Sequence, residues 1–364
     1  MNMKTLANIL EPFILLPGLK VASDFDLETI VAQELNMNSS ESAVSNGPLS
    51  VLDHETKAKR RERNRTKPAE ILKKTIIALL FLVVGNPLSL LVFGIINRIL
   101  FRPIDTAFVC YAANESYREK YWFKFALPII SAFPAIVGFY FQGGKMGLIF
   151  VISSVEKDFR NADRLAQLMK NVNLVKVLLG VKAFHYSGIL PTELSKKSLV
   201  SNDYLQDRCD MVAKVVLAAE TQVLEQQHII GYLPVIIIGG NGNVGKKIAE
   251  GLHRSGRIYF VVEKQEDFPH HLKNQPCLVI DVARKGALEQ YLGKFWAEMI
   301  FLNETYPEPE MATLQRLKAL GVASYHVTGV KARAYPKFPK SYAGGVPCCA
   351  LINDSSLEAL IKRL

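Results

Sequence analysis

The stretch from Val235 to Leu252, VIIIGGNGNVGKKIAEGL, constrains the fold more than any other part of the chain. Four apolar residues, three of them β-branched isoleucines, predict a short buried strand. Gly240, Gly242 and Gly245 follow, and then Val244, Ile248, Ala249 and Leu252 recur at helical spacing. Strand, glycine turn and helix in this order are the context in which G-x-G-x-x-G cradles a dinucleotide. Gly240 is expected to turn the chain, Gly242 to let backbone approach a pyrophosphate, and Gly245 to let helix pack on strand. The pyrophosphate would lie on the free N–H groups of Asn241, Gly242, Asn243 and Val244, at the positive end of the helix dipole.

A second strand, Ile258–Glu263, ends in an acid placed where the ribose hydroxyls of NAD are bound. Glu263 favours NAD, whereas the adjacent Lys264 is placed to meet the 2′-phosphate of NADP. The expected cofactor is therefore NAD or NADP. Beyond Glu263 the pattern alternates: strands at Cys277–Val282, Ala297–Leu302 and Val322–Thr328, a helix at Met311–Gly321, and a final helix over Ser355–Leu364. Upstream, TAFVCY and Gly147–Ser154 read as strands, Asp163–Leu179 as helical, Val181–Pro191 as a strand running into a turn, and Tyr204–Gln227 as a long helix. Such alternation implies a mainly parallel sheet with helices on both faces.

The amino-terminal third is of another kind. Asn36–Pro48 is polar and turn-rich and reads as a linker. KAKRRERNRTK, Lys57–Lys67, supplies much of the net charge of +10. It precedes Thr75–Asn97, 23 residues without a charge, enough to span a bilayer. A basic run against an apolar segment reads as a cytoplasmic flank held by anionic lipid rather than as a nucleic-acid site. Gly85-Asn86-Pro87 interrupts the segment, and Arg98 and Arg102 follow it. A hairpin dipping into the membrane is the preferred expectation, with a tilted span or a protein-buried helix as alternatives. Phe125–Phe141, with two prolines, is a marginal second span or an apolar surface of a globular domain.

The expected fold class is α/β, with two α/β subdomains. The C-terminal one is a doubly wound Rossmann-type parallel sheet, and an N-terminal hydrophobic, membrane-associating helical segment is added. The boundaries are 1–70 for the amino-terminal region and basic linker, 71–104 for the membrane-associating segment, 105–203 for the substrate subdomain and 204–364 for the NAD(P)-binding domain. Five cysteines, an odd number without disulfide-like spacing, fit a reducing compartment. With the basic flank, this puts the nucleotide domain on the cytoplasmic side. No Cys/His metal spacing is present, and the His270–His271 pair reads as solvated.

From about Thr106 onward the chain resembles the aldehyde-forming long-chain fatty acyl carrier protein reductases and the related shikimate-dehydrogenase-like Rossmann proteins. Phe108–Tyr121 looks like their opening strand and loop, and MGLIFVIS like the strand closing their first subdomain. NADRLAQLMKNVNLVKVLLGVKAFHYSGILP resembles their helix-strand-turn. The resemblance implies hydride transfer from NAD(P)H to an acyl thioester carried by acyl carrier protein or coenzyme A. It also implies a cysteine nucleophile, which the stretch Gly344-Gly345-Val346-Pro347-Cys348-Cys349 offers as Cys348, somewhat earlier than the family spacing. A thiolate there is expected to be exposed, its pKa lowered by a basic group or a helix N-terminus. His185 and Tyr186, in the turn opposite the nucleotide domain, are candidates to bind a carbonyl or donate a proton. His326 and Thr328 end a strand on the ligand side of the sheet. The competing expectation is a binding or sensing protein that reads NAD(P) without turning it over.

Overall fold

The computed structural model describes residues 71–364, apart from short gaps, most of them within 73–82, 101–103 and 113–132. The expectations for residues 1–70 lie outside the described residues. Six helices are used below: α1 Pro87–Ile99, α2 Ala162–Leu179, α3 Leu190–Lys196, α4 Asn202–Gln226, α5 Asn243–Arg254 and α6 Met311–Ala319. The strands are β1 Ile104–Tyr111, β2 Ala135–Gln142, β3 Lys145–Ile152, β4 Ala183–Tyr186, β5 Val235–Ile238 and β6 Tyr259–Val262. They continue with β7 Cys277–Asp281, β8 Met299–Asn303, β9 Ala323–Val330, β10 Arg333–Tyr335 and β11 Ala359–Arg363.

The strands form two sheets, ordered β10-β2-β3-β1-β4 and β11-β9-β8-β7-β5-β6. In the second, β5 to β9 run parallel and β11 pairs antiparallel with β9. All four residues of β5 are buried, as a strand covered on both faces requires. Val235 and Ile237 face the core built with α4 and α5. Ile236 and Ile238 face a separate core that includes Leu317 of α6, Phe268 and Tyr291. β5 is flanked by β6 on one side and β7 on the other, so the connections reverse direction between β5 and β7. That switch point is where open α/β sheets bind ligands, at the carboxyl ends of their strands.

In the first sheet, β1 pairs parallel with both β3 and β4, and the β2–β3 hairpin turns at Gly143 and Gly144, both with positive φ. Helix α2 covers one face, its Leu165, Leu168, Val172 and Val175 buried against Phe150 and Phe184. The single long helix α4 serves both sheets. Its buried row runs from Leu205 through Val216 to Leu224.

Several expectations are corrected. Apolar segment 75–97 is broken where its turn signal predicts: Asn86 caps α1, accepting from the Ser89 amide at 2.9 Å, and Pro87 opens the helix. No helix among the described residues is long and apolar enough to cross a membrane. The second apolar stretch becomes β2 in its last third, with Tyr140 fully buried. Ser355–Leu364 ends in β11 rather than a helix. Ten residues hold too few turns for periodicity to distinguish the two, and pairing with β9 decides. Finally β10, from residues 333–335, completes the first sheet by pairing with β2. A boundary at residue 203 therefore assigns one strand of that sheet to the other half of the chain.

Candidate functional site

The glycine turn has the form its spacing implies, with one change of glycine role, and two of the four amides expected to be free are taken: Gly242 donates to the Gly239 carbonyl at 3.0 Å and Asn241 to Glu263. The residue with positive φ is Gly239, at 81°, rather than Gly240. A Cβ on Gly239 would lie 2.8 Å from Ala283 Cα, so the tip of β5 abuts the turn after β7. Gly240 is required instead by Val261, whose Cγ1 would sit 2.6 Å from an added Cβ. Gly245 acts as expected: a Cβ there would overlap the Gly239 carbonyl oxygen and lie 2.6 Å from Gly240 Cα.

Gly242 is the N-cap of α5. It offers no side-chain cap, and no acid occupies the first turn. The amides of Asn243, Val244 and Gly245 begin the helix and have no intrahelical acceptor by construction. A Cβ at Gly242 would lie 3.2 Å from the Gly239 oxygen, so only a small side chain is tolerated by the fold and none by a close anion. Glu263 stands directly after β6, and its Oε1 accepts from the Asn241 amide at 2.7 Å. Lys264 beside it is exposed. A groove of about 280 Å³ starts at Gly240 and Asn241 and runs between α5 and the open edge of β6, past Lys246, His253 and Tyr259.

From this turn a line of contacts leads into the junction of the two sheets. Ala283, against Gly239, donates its amide to Asp281 Oδ1 at 3.0 Å. The Asp281 carbonyl accepts from the Glu304 amide at 3.0 Å. Asp281 ends β7 and is buried, and loss of water pushes its carboxyl up to about 7. Glu304, just past β8, is half-buried; desolvation, then the charge of Asp281, push it up to about 8. Both acids thus hold protons near neutrality. Glu304 in turn acts electrostatically on Cys348, Cys349 and Cys209.

The cysteines lie on a single 3-10 turn, Cys348–Ala350, after Pro347. Arg208 of α4 ties this turn to the first sheet: its Nη2 donates to the carbonyls of Cys349 and Leu351 at 3.3 and 3.2 Å, and its Nη1 lies 3.2 Å from His185 Nε2. Cys348 is buried, and desolvation, Glu304 and Cys349 hold its thiol well above the ordinary range. The expected exposed, acidified Cys348 is therefore not what the fold provides: its side chain packs into the core shared with α4 and β9. Cys349 is half-buried. Desolvation pushes its thiol up to about 11, opposed by a hydrogen bond from the Gly188 amide and by the charge of Arg208.

His185 and Tyr186 do not act together. Neighbours on a strand point to opposite faces. His185 faces Arg208, while the Tyr186 hydroxyl lies 3.4 Å from Met169 Sδ in the core under α2. Burial, then Tyr204, raises the Tyr186 hydroxyl above its ordinary pKa. Burial, then Arg208, lowers His185 well below its usual pKa. It is a neutral acceptor for the guanidinium, and its Nδ1 has no partner among the described residues. His326 is buried beside Asn303, its Nδ1 2.8 Å from Asn303 Nδ2. Thr328 donates to the Leu360 carbonyl at 3.0 Å. Both residues hold strands together. His270 and His271 are exposed. Among the described residues no group of three or more His, Cys, Asp or Glu is arranged to hold a metal.

Arg208, Asp281 and Glu304 are the junction residues that sequence reasoning missed, and Cys349 stood behind Cys348 in it. The signal available was an acid at the carboxyl end of each of two apolar strands, CLVID and MIFLNE. For Arg208 there was none.

No protein-family model matches the chain, and no curated protein matches it. Solved structures that match include the L-tryptophan dehydrogenase of Nostoc punctiforme, at 14% identity over 61% of this chain and 68% of that one, TM-score 0.31. A shikimate dehydrogenase in complex with NADP+ matches at 9% identity over 61% and 84%, TM-score 0.33. D-2-hydroxyisocaproate dehydrogenase matches at 12% over 59% and 76%, TM-score 0.22. Likenesses this distant assign neither family nor chemistry, which rest on the geometry of the chain itself.

Proposed function

We propose that the chain is an NAD(P)-dependent oxidoreductase that works at a membrane surface and reduces an acyl thioester or a related lipid-like carbonyl compound. The observation that carries this reading is the uncapped N-terminus of α5 at Gly242, set at the switch point of a doubly wound sheet, from which hydrogen bonds through Ala283 and Asp281 reach Glu304, whose charge is felt by a pair of cysteines. The residues fit a dinucleotide: the Asn243 and Val244 amides would hold the diphosphate, and Glu263 would accept from the ribose hydroxyls. The cofactor supplies the hydride.

The chain's own groups supply the rest. Of the two thiols, Cys349 is the better placed nucleophile, because Gly188 N–H and Arg208 favour its thiolate whereas Cys348 is sealed in the core. Its thiolate would attack the thioester carbon and expel the carrier thiol, which takes up the proton Cys349 released. Reduction of the enzyme-bound thioester would release aldehyde and return the thiolate. That step consumes no proton; Glu304, protonated near neutrality, would return one to the Cys349 thiolate to restore the resting thiol. Carrier partners of this kind are acyl carrier protein or acyl-coenzyme A.

Purified protein incubated with NADH or NADPH and long-chain acyl thioesters tests the reading. Aldehyde is expected, lost in Cys349→Ser and retained in large part in Cys348→Ser. Gly242→Ala is expected to fold normally and to bind dinucleotide at least about tenfold more weakly. Because Glu263 would face a 2′-phosphate, NAD is expected to bind more tightly than NADP, with Glu263→Ser narrowing the gap. A second reading, dinucleotide binding without turnover, is favoured by the raised thiols of Cys348 and Cys349. Tight binding with no aldehyde across acyl thioesters of all chain lengths would select it.

A further inference from the structure

Helix α1 is built inside out. Its inward row is Leu90, Gly94 and Asn97, and the amide side chain of Asn97 is 1% exposed. Asn97 donates to the Leu179 carbonyl at 3.2 Å and accepts from the Ile104 amide at 2.9 Å. A Cβ at Gly94 would fall on the Leu178 carbonyl oxygen, so α1 lies against the end of α2 at backbone contact. Outward it presents Leu88, Val92, Ile95, Ile96 and Ile99, with Leu88 71% and Ile99 67% exposed, and a single charge, Arg98, in its last turn. Leu174 and Val177 of α2 are exposed too, and Arg98 at the end of α1 donates to the Val177 carbonyl at 2.8 Å. A helix on a water-facing surface has the opposite pattern. Small and polar residues at the helix contact with aliphatic ones outside is the pattern of helices in lipid.

Length sets how α1 can meet lipid. Its 13 residues make a helix of about 20 Å, against a hydrocarbon core of about 30 Å. It does not cross. The sequence leading into it carries Lys57, Lys59, Arg60, Arg61, Arg63, Arg65, Lys67, Lys73 and Lys74 against Glu62 and Glu70. Such a run is drawn to anionic headgroups. It also disfavours a second copy as the occupant, because two-fold pairing through α1 would bring two such runs together.

We propose that the outward face of α1, with Leu174 and Val177, seats in the headgroup–acyl boundary of an anionic bilayer, its axis in the membrane plane. This deepens the membrane part of the reading above and is independent of its redox part. The test is flotation of the full-length protein with phosphatidylcholine vesicles, with and without phosphatidylglycerol. The protein should float with anionic vesicles, less so at high salt. The triple variant Val92→Glu/Ile95→Glu/Ile99→Glu should partition at least about tenfold less while keeping its dinucleotide affinity. A Val92→Trp reporter should be quenched by bromine placed near the headgroup end of the acyl chain more than by bromine near its methyl end. The proposal is overturned if the wild-type protein stays in solution with both vesicles, or if the triple variant floats like wild type. It is also overturned if light scattering finds a wild-type dimer that the triple variant dissolves. Should the triple variant not fold, Leu88→Glu alone and the quenching series decide in the same way. Loss of dinucleotide binding by wild-type protein that still floats would sink the oxidoreductase reading and leave this one standing.

Discussion

Gly245 and Gly242 separate what folds the chain from what the proposed dinucleotide would need. At Gly245 the missing Cβ makes room for backbone, so Gly245→Ala should cost roughly 1–3 kcal/mol in urea unfolding; at Gly242 the substitution should leave that midpoint nearly unchanged. The acids at the junction make stability depend on pH. An ordinary carboxyl loses its proton near pH 4, whereas buried Asp281 holds its proton to about 7. Between those values the folded state binds more protons than the unfolded chain, so stability falls as pH rises through the window. Asp281→Asn should flatten this, with thermal midpoints at pH 5 and pH 8 closer together than in wild type. The glycines and Glu263 were legible because their spacing is fixed by the ligand they would hold. Arg208 was not: an arginine within an amphipathic helix looks like any solvated cation until the chain returns, 141 positions later, to place Cys349 on it.

Among elements, β5, α5 and β6 are held by a buried pair that patterning does not announce. Arg257, before β6, meets Glu220 of α4 through two bonds of 2.6 and 2.7 Å, with side chains 5% and 1% exposed. Arg257 also lies over the Tyr232 ring, 4.4 Å from its centroid. Arg257→Met alone should cost about 3–5 kcal/mol by stranding the Glu220 carboxylate. Glu220→Met/Arg257→Met should recover most of that, and calorimetry on the three variants checks it. Elements with a long period were readable. Both α2 and α4 lie within two residues of their expected limits. Short ones were not. β2 hides in a run that reads equally as a span, and β11 in ten residues that read equally as a helix. In both cases the partner strand, distant in sequence, makes the choice.

At the scale of the molecule, the alternation of strands and helices gave the second sheet, and the glycine motif gave the turn between β5 and α5. The junction was hidden because it is made by chain crossing between sheets. β9 leads out of the second sheet to β10, whose Tyr335 stacks on Phe139 of β2 with ring centroids 5.5 Å apart. The chain then passes Val346, bridged to Val330, and the cysteine turn before rejoining β9 as β11. The turn between α4 and β5, where Ile230 and Tyr232 are exposed, is the accessible place to cut the chain between the two. Nicking it with chymotrypsin should leave two fragments that co-elute on gel filtration and part only in denaturant. The same two pieces, expressed separately, should find each other and restore dinucleotide binding, which would make this seam a natural place to split the protein for a two-hybrid reporter.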